Sequence, residues 1–139
     1  MSRFVLDASV ALAWFVDRSI DPYAVAIGER LRSGARAVVP PLWRVEVING
    51  FVMAERRGTL VSAEIAEAVA KLEALRWQSV DSAAMELPLS RLLSAARQFR
   101  LTAHDAEYLE TARNEQLPLA TLDRKLKIAA TQAGIELAQ

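Results

Sequence analysis

The chain has 139 residues, 53% of them hydrophobic, with 17 basic side chains against 17 acidic ones. That is one domain's length with enough apolar content for a sizeable core; it argues against disorder, and the balanced charge argues against a uniformly basic nucleic-acid binder while leaving local basic patches open. With no Cys and a single His, His104, disulfides, thiolate zinc sites, Cys nucleophiles and multi-His metal cages are excluded, so any catalysis falls to carboxylates and hydroxyls.

Met1-Ser2-Arg3 runs directly into an apolar strand, with no signal-peptide pattern. No apolar run approaches the ~20 residues of a membrane span, so a cytoplasmic protein without a membrane partner is expected. The run RFVLD (3–7) reads as a short buried strand ending in Asp7. Residues 8–15 have helical composition. Asp21-Pro22 starts a second helix, which Gly34 ends. Residues 35–40 form a second strand, stopped by Pro40-Pro41.

Residues 42–57 read as a helix that is apolar nearly all round, closed by Gly58. At about 100° per residue, Trp43, Val45, Val47, Ile48, Phe51 and Val52 cover most of its circumference, and Glu46, Asn49 and Gly50 form one narrow polar stripe. Ser62 opens a helix to about residue 75, RWQSV (76–80) is read as a third strand, and 83–99 as mostly helical with a restart at Pro88. Residues 101–123, LTAHDAEYLETARNEQLPLATLD, read as helix, turn and strand with an acid near each end, Asp105 and Asp123. A last helix (124–134) and a final edge strand (135–137) follow. Four or five short strands alternating with helices predict an α/β fold with a parallel sheet.

In such a sheet, ligands bind beyond the carboxyl ends of the strands. Two strands end there in acids, Asp7 and Asp123. On the helix from residue 103, positions 105, 108, 109 and 112 share a face. Tyr108, Leu109 and Ala112 make that face inward, so Asp105 is turned toward the protein, while Glu107, Glu110 and Glu115 lie off it as solvated charges. Carboxylates brought close together repel, so either some stay protonated or a cation joins them. A set without His or Cys suits hard ions, Mg²⁺ or Mn²⁺. Acids, such an ion and a phosphodiester together indicate a nuclease.

Each acid also has a purely structural reading. Thr102 to Asp105 resembles a capping box, Asp7 and Asp123 suit helix N-caps, and Glu46 suits a solvated helix face. Trp14, Phe15, Trp43 and Phe51 read mostly as core, and Arg3, Arg56, Arg57, Arg124, Lys125 and Lys127 as solvated charges that could also steer phosphate. Joint placement at one strand edge is what lifts the acids above these separate readings.

The blocks FVLDASVALAWF, VVPPLWRVEVINGF and LTAHDAEYLETARNEQLPLATLDRKLKIAA together resemble the PIN-domain family, and within it the VapC-type toxins of bacterial toxin–antitoxin pairs. The resemblance runs end to end. It implies a single PIN-like domain (1–139), a three-layer α/β/α sandwich around a parallel sheet of four to five short strands. It also implies a Mg²⁺- or Mn²⁺-dependent endoribonuclease, acting as a homodimer and neutralised by a small cognate VapB-type antitoxin. Asp7, Glu46, Asp105 and Asp123 fall on the family's acidic positions, and Ser9, Asn49 and Thr121 on its polar supporting positions. His104 departs from the aromatic residue common before the Asp, and no fifth acid follows Asp123. Two other classes compete: a PIN-like module that binds RNA or a partner without cutting, and an α/β phosphotransfer protein. Asp7-Ala8-Ser9 lacks the second acid of the phosphatase pair, and a helix-borne Asp105 fits no receiver domain.

Overall fold

The computed structural model describes residues 2–17 and 19–139; Met1, part of the N-terminal run read above, lies outside them. Among the described residues the chain order is β1 (Arg3–Leu6), α1 (Ala8–Ala13), α2 (Pro22–Arg32), β2 (Arg36–Val39), α3 (Leu42–Arg56), α4 (Ser62–Ser79), β3 (Val80–Ser82), α5 (Leu89–Phe99), α6 (Ala103–Glu115), β4 (Leu119–Ala120) and α7 (Arg124–Gln132). The strands form one parallel sheet in the order β3-β2-β1-β4. Successive strand residues point to opposite faces, and Phe4, Val5 and Leu6 are all fully buried. Both faces of β1 are therefore covered by helices, giving the α/β/α arrangement of a parallel sheet.

The strand order reverses between β1 and β4, since β2 and β3 lie on one side of β1 and β4 on the other. The register pairs Val5 with Leu119 and Leu6 with Ala120. One step further along each strand, it places Asp7 beside Thr121. The Asp7 N–H donates to the Ala120 carbonyl (2.9 Å) and holds that step in place.

Helix boundaries follow local chemistry. Asp21 caps α2 by accepting from the Tyr23 and Ala24 amides. Thr102 caps α6 through the Asp105 amide, so half of the expected capping box forms. Asp123 caps α7 by accepting the Leu126 amide at 2.9 Å, whereas Asp7 occupies the N-cap position of α1 without a side-chain capping bond.

Several expected elements shift. Residues 76–79 are the last turn of α4, and the third strand is Val80–Ser82. A short stretch with one aromatic residue carries no period long enough to separate the two states. The helix expected over 83–99 begins only at Leu89, after Pro88. Residues 135–137 contribute one bridge, Leu119 to Leu137, rather than a strand. On α3 the inward face is Trp43, Val47, Phe51 and Ala54, and Val45 and Ile48 are exposed.

Gly50 explains how α1 and α3 approach each other. A Cβ placed there would sit 2.5 Å from both terminal carbons of Leu12 on α1. Phe15 and Phe51 extend the same junction edge to face, with centroids 6.0 Å apart. The polar stripe of α3 thus doubles as the groove that admits Leu12, and it brings Glu46 alongside the start of α1.

Candidate active site

Four acids converge on the carboxyl end of β1 and β4. Asp7 follows β1, Asp123 follows β4, Asp105 is in the first turn of α6 and Glu46 is on α3. Asp7 is buried and the other three are half-buried. None of the four makes an ion pair with Lys, Arg or His among the described residues.

Asp7 is held by a two-step relay. The Leu122 amide donates to Ser9 Oγ (3.0 Å) and the Asp123 amide donates to Thr121 Oγ1 (3.0 Å). Each hydroxyl, with a lone pair already engaged, directs its own hydrogen at Asp7 Oδ2, at 2.7 Å in both cases. Both donors go to the same oxygen, so Oδ1 stays outside the pair. Glu46 follows the same pattern: Tyr108 donates to Oε1 at 2.6 Å, and Oε2 makes no hydrogen bond among the described residues. Asp123 uses Oδ1 for its helix cap. Three of the four acids are thereby fixed in orientation with a second oxygen left over.

The charges feel each other. Burial raises the Asp7 carboxyl above its ordinary range; the Ser9 and Thr121 hydroxyls work the other way, and Asp123 adds to the rise. Burial likewise raises Glu46, opposed by the Tyr108 hydroxyl and reinforced by Asp7 and Asp105. Asp105 is raised by burial first and then by Asp123 and Asp7. Proton uptake is one answer to crowded carboxylates and a shared cation is the other.

Among the described residues, no three of these acids sit closely enough to form a ready-made ion cage. The donor chemistry nevertheless fits a small hard cation. The set is all oxygen, it makes no ion pair with a basic side chain among the described residues although His104 acts on Glu46 and Asp105, and Mg²⁺ ordinarily keeps several waters in its shell beside one or two carboxylates. Concavities of about 330 Å³ and 260 Å³ lie away from the acids, along α3, α4 and the β2–β3 edge.

The PIN-domain model matches residues 4–131. The chain belongs to the PIN-domain family. PIN domains are typically nucleases that use divalent ions. No curated protein matches the chain. Among solved structures it is similar to the crystal structure of PAE2754 from Pyrobaculum aerophilum, at 22% identity and a TM-score of 0.70, over 92% of this chain and 79% of that one. At that identity the likeness is one of fold.

Within this PIN domain, Asp7, Glu46, Asp105, Asp123, Ser9 and Thr121 lie at one edge. Asn49 stands apart: it is exposed on α3, one turn beyond Glu46, and makes no side-chain hydrogen bond among the described residues. Sequence reasoning placed Tyr108 on the inward stripe but missed its bond to Glu46, 62 positions away. It also misplaced Glu110, expected in solvent and found 4% exposed. Glu110 is neutralised by Arg113 at 3.2 Å and Arg91 at 3.5 Å. Three-residue spacing from Arg113 was the available signal; Arg91 comes from α5 and had none. Among the described residues, no helix is long and apolar enough to cross a membrane.

Proposed function

We propose that this single PIN-like domain (1–139) is a metal-dependent endoribonuclease, the toxin of a type II toxin–antitoxin pair. The supporting observation is the acid quartet at the strand-order reversal, without an ion pair among the described residues and with one oxygen each of Asp7, Glu46 and Asp123 already tied down. A bound Mg²⁺ or Mn²⁺ would supply an acidified water as nucleophile and offset charge on the phosphoryl oxygens. Asp7 and Asp105 are assigned to hold the ion directly. Glu46 and Asp123 complete its shell or accept a hydrogen from the attacking water. Ser9 and Thr121 favour the ionised form of Asp7 against the effect of burial and orient it by donating to Oδ2, and Asn49 is assigned a supporting contact from the rim of α3. The products are then a 5′-phosphate and a 3′-hydroxyl.

The test is RNA cleavage with Mg²⁺ or Mn²⁺, with and without chelator, by the wild type and Asp7→Asn. Cleavage by the wild type alone, abolished by chelator, is the expected result; equal activity in every condition removes the proposal. Saturable RNA binding without cleavage at any ion concentration would replace it with a non-cutting module. The toxin assignment also entails a homodimer and a small VapB-type antitoxin, in a cytoplasmic setting. Co-expression with the product of a small neighbouring reading frame should yield a complex in which cleavage is silenced.

A further inference from the structure

Tyr108 is fully buried on α6, and a buried phenol needs a hydrogen-bond partner. A backbone carbonyl or a neutral amide would satisfy it. The partner here is instead the carboxylate of Glu46, from α3, which has no ion-pair partner among the described residues and lies in the field of Asp7 and Asp105. A carboxylate kept only for structure could be replaced by a neutral residue with less repulsion. The phenol also follows Asp105 by three residues on the same helical face. One turn of α6 therefore places one acid directly and reaches a second through a hydroxyl.

We infer that Tyr108 is a positioning residue for the proposed metal site, its hydroxyl holding Glu46 Oε1 and leaving Oε2 as the oxygen available to an ion or to its water. The inference rests on the nuclease reading above. The ring is buried in the hydrophobic core while the oxygen alone performs this task, so Tyr108→Phe separates the two roles. A free Glu46 side chain would sample several rotamers and lose orientation before an ion could use it. With the phenol in place that ordering is built into the fold, as it is for Asp7 through Ser9 and Thr121.

The test is a double-mutant cycle on ion binding, read by Mn²⁺ electron paramagnetic resonance on the metal-free protein. The wild type, Tyr108→Phe, Glu46→Gln and the double variant are titrated with Mn²⁺, with Asp7→Asn as the control for the site itself. The phenylalanine variant should weaken Mn²⁺ binding about tenfold, the usual scale for losing a partner that orients a ligand. In the Glu46→Gln background the same change should cost less than about twofold, because the group through which the phenol acts is gone. Equal losses in both backgrounds, or no loss in either, overturn the assignment. A wild type whose Mn²⁺ binding matches that of Asp7→Asn sinks the metal-nuclease reading, and this inference with it.

Discussion

Two groups of carboxylates, both partly seated on α6, show how differently a protein can hold negative charge. Glu110 is 4% exposed and sits between the guanidinium groups of Arg113, on its own helix, and Arg91 of α5. The quartet of Asp7, Glu46, Asp105 and Asp123 makes no ion pair among the described residues, and three of its members, Asp7, Glu46 and Asp123, are steadied instead by hydroxyls and a backbone amide. A hydroxyl fixes direction without cancelling charge, whereas a guanidinium does both. The first arrangement joins α5 to α6. The second leaves its acids without an ion-pair partner among the described residues.

The contrast predicts opposite signs for function and stability. Asp105→Asn should reduce metal-dependent RNA cleavage by more than about a hundredfold, beyond the usual loss for an orienting partner. In the metal-free protein it should raise the melting temperature by about 3 °C, because it removes a repelled, half-buried charge. Cleavage assays and calorimetry on the same preparation check both; a variant that melts lower would break the comparison. Removing Arg91 and Arg113 together should do the reverse. Glu110 would be left buried without a cation, at a cost of about 3 kcal/mol in urea unfolding. Cleavage per folded molecule should be unchanged.

Gly50→Ala tests how the quartet is assembled. An alanine gains about 1 kcal/mol in helix propensity, but the added carbon collides with Leu12, and overpacking of this kind costs roughly 1–3 kcal/mol. The net should be a loss of about 1 kcal/mol with reduced cleavage, since α1 follows Asp7 and α3 carries Glu46. Adding Leu12→Ala should restore cleavage.

The pH dependence sharpens the comparison further. Asp7, Glu46 and Asp105 all have raised pKa values in the fold, mainly through burial. The folded state therefore binds more protons than the unfolded chain above the ordinary carboxylate pKa, about 4. Their contribution is fully present below that pH and is lost as pH rises through the raised values. The stability gap between Asp105→Asn and wild type should widen in that direction, and Mn²⁺ at neutral pH should close it by binding only the wild-type fold. The smallest effect is expected far from the acids. Gln116 ends α6 at φ 56°, a left-handed position that glycine occupies more readily, so Gln116→Gly should gain about 0.5 kcal/mol and leave cleavage untouched.

Local patterns carried much of this fold and site. Asp7 was legible because it directly follows a run of buried apolar residues, and Asp105 because Tyr108, Leu109 and Ala112 orient its helix. The third strand was displaced into Val80–Ser82 because RWQS has no decisive period. Asn49 shared a polar stripe with Glu46, but a stripe does not say which of its members reach a neighbour.

What the sequence determined by itself was the candidate acids and the edge of two of them: Asp7 and Asp123 end strands of an α/β pattern, and Asp105 shares the inward face of its helix. Those features depend on residue type and on spacing within a single element. Pairing across elements was decided only in three dimensions. The β1–β4 register set Thr121 beside Asp7, the close α1–α3 approach at Gly50 brought Glu46 to the same edge, and Tyr108 found Glu46 across the core. Periodicity shows which way a side chain points; what it meets there depends on how helices and strands pack.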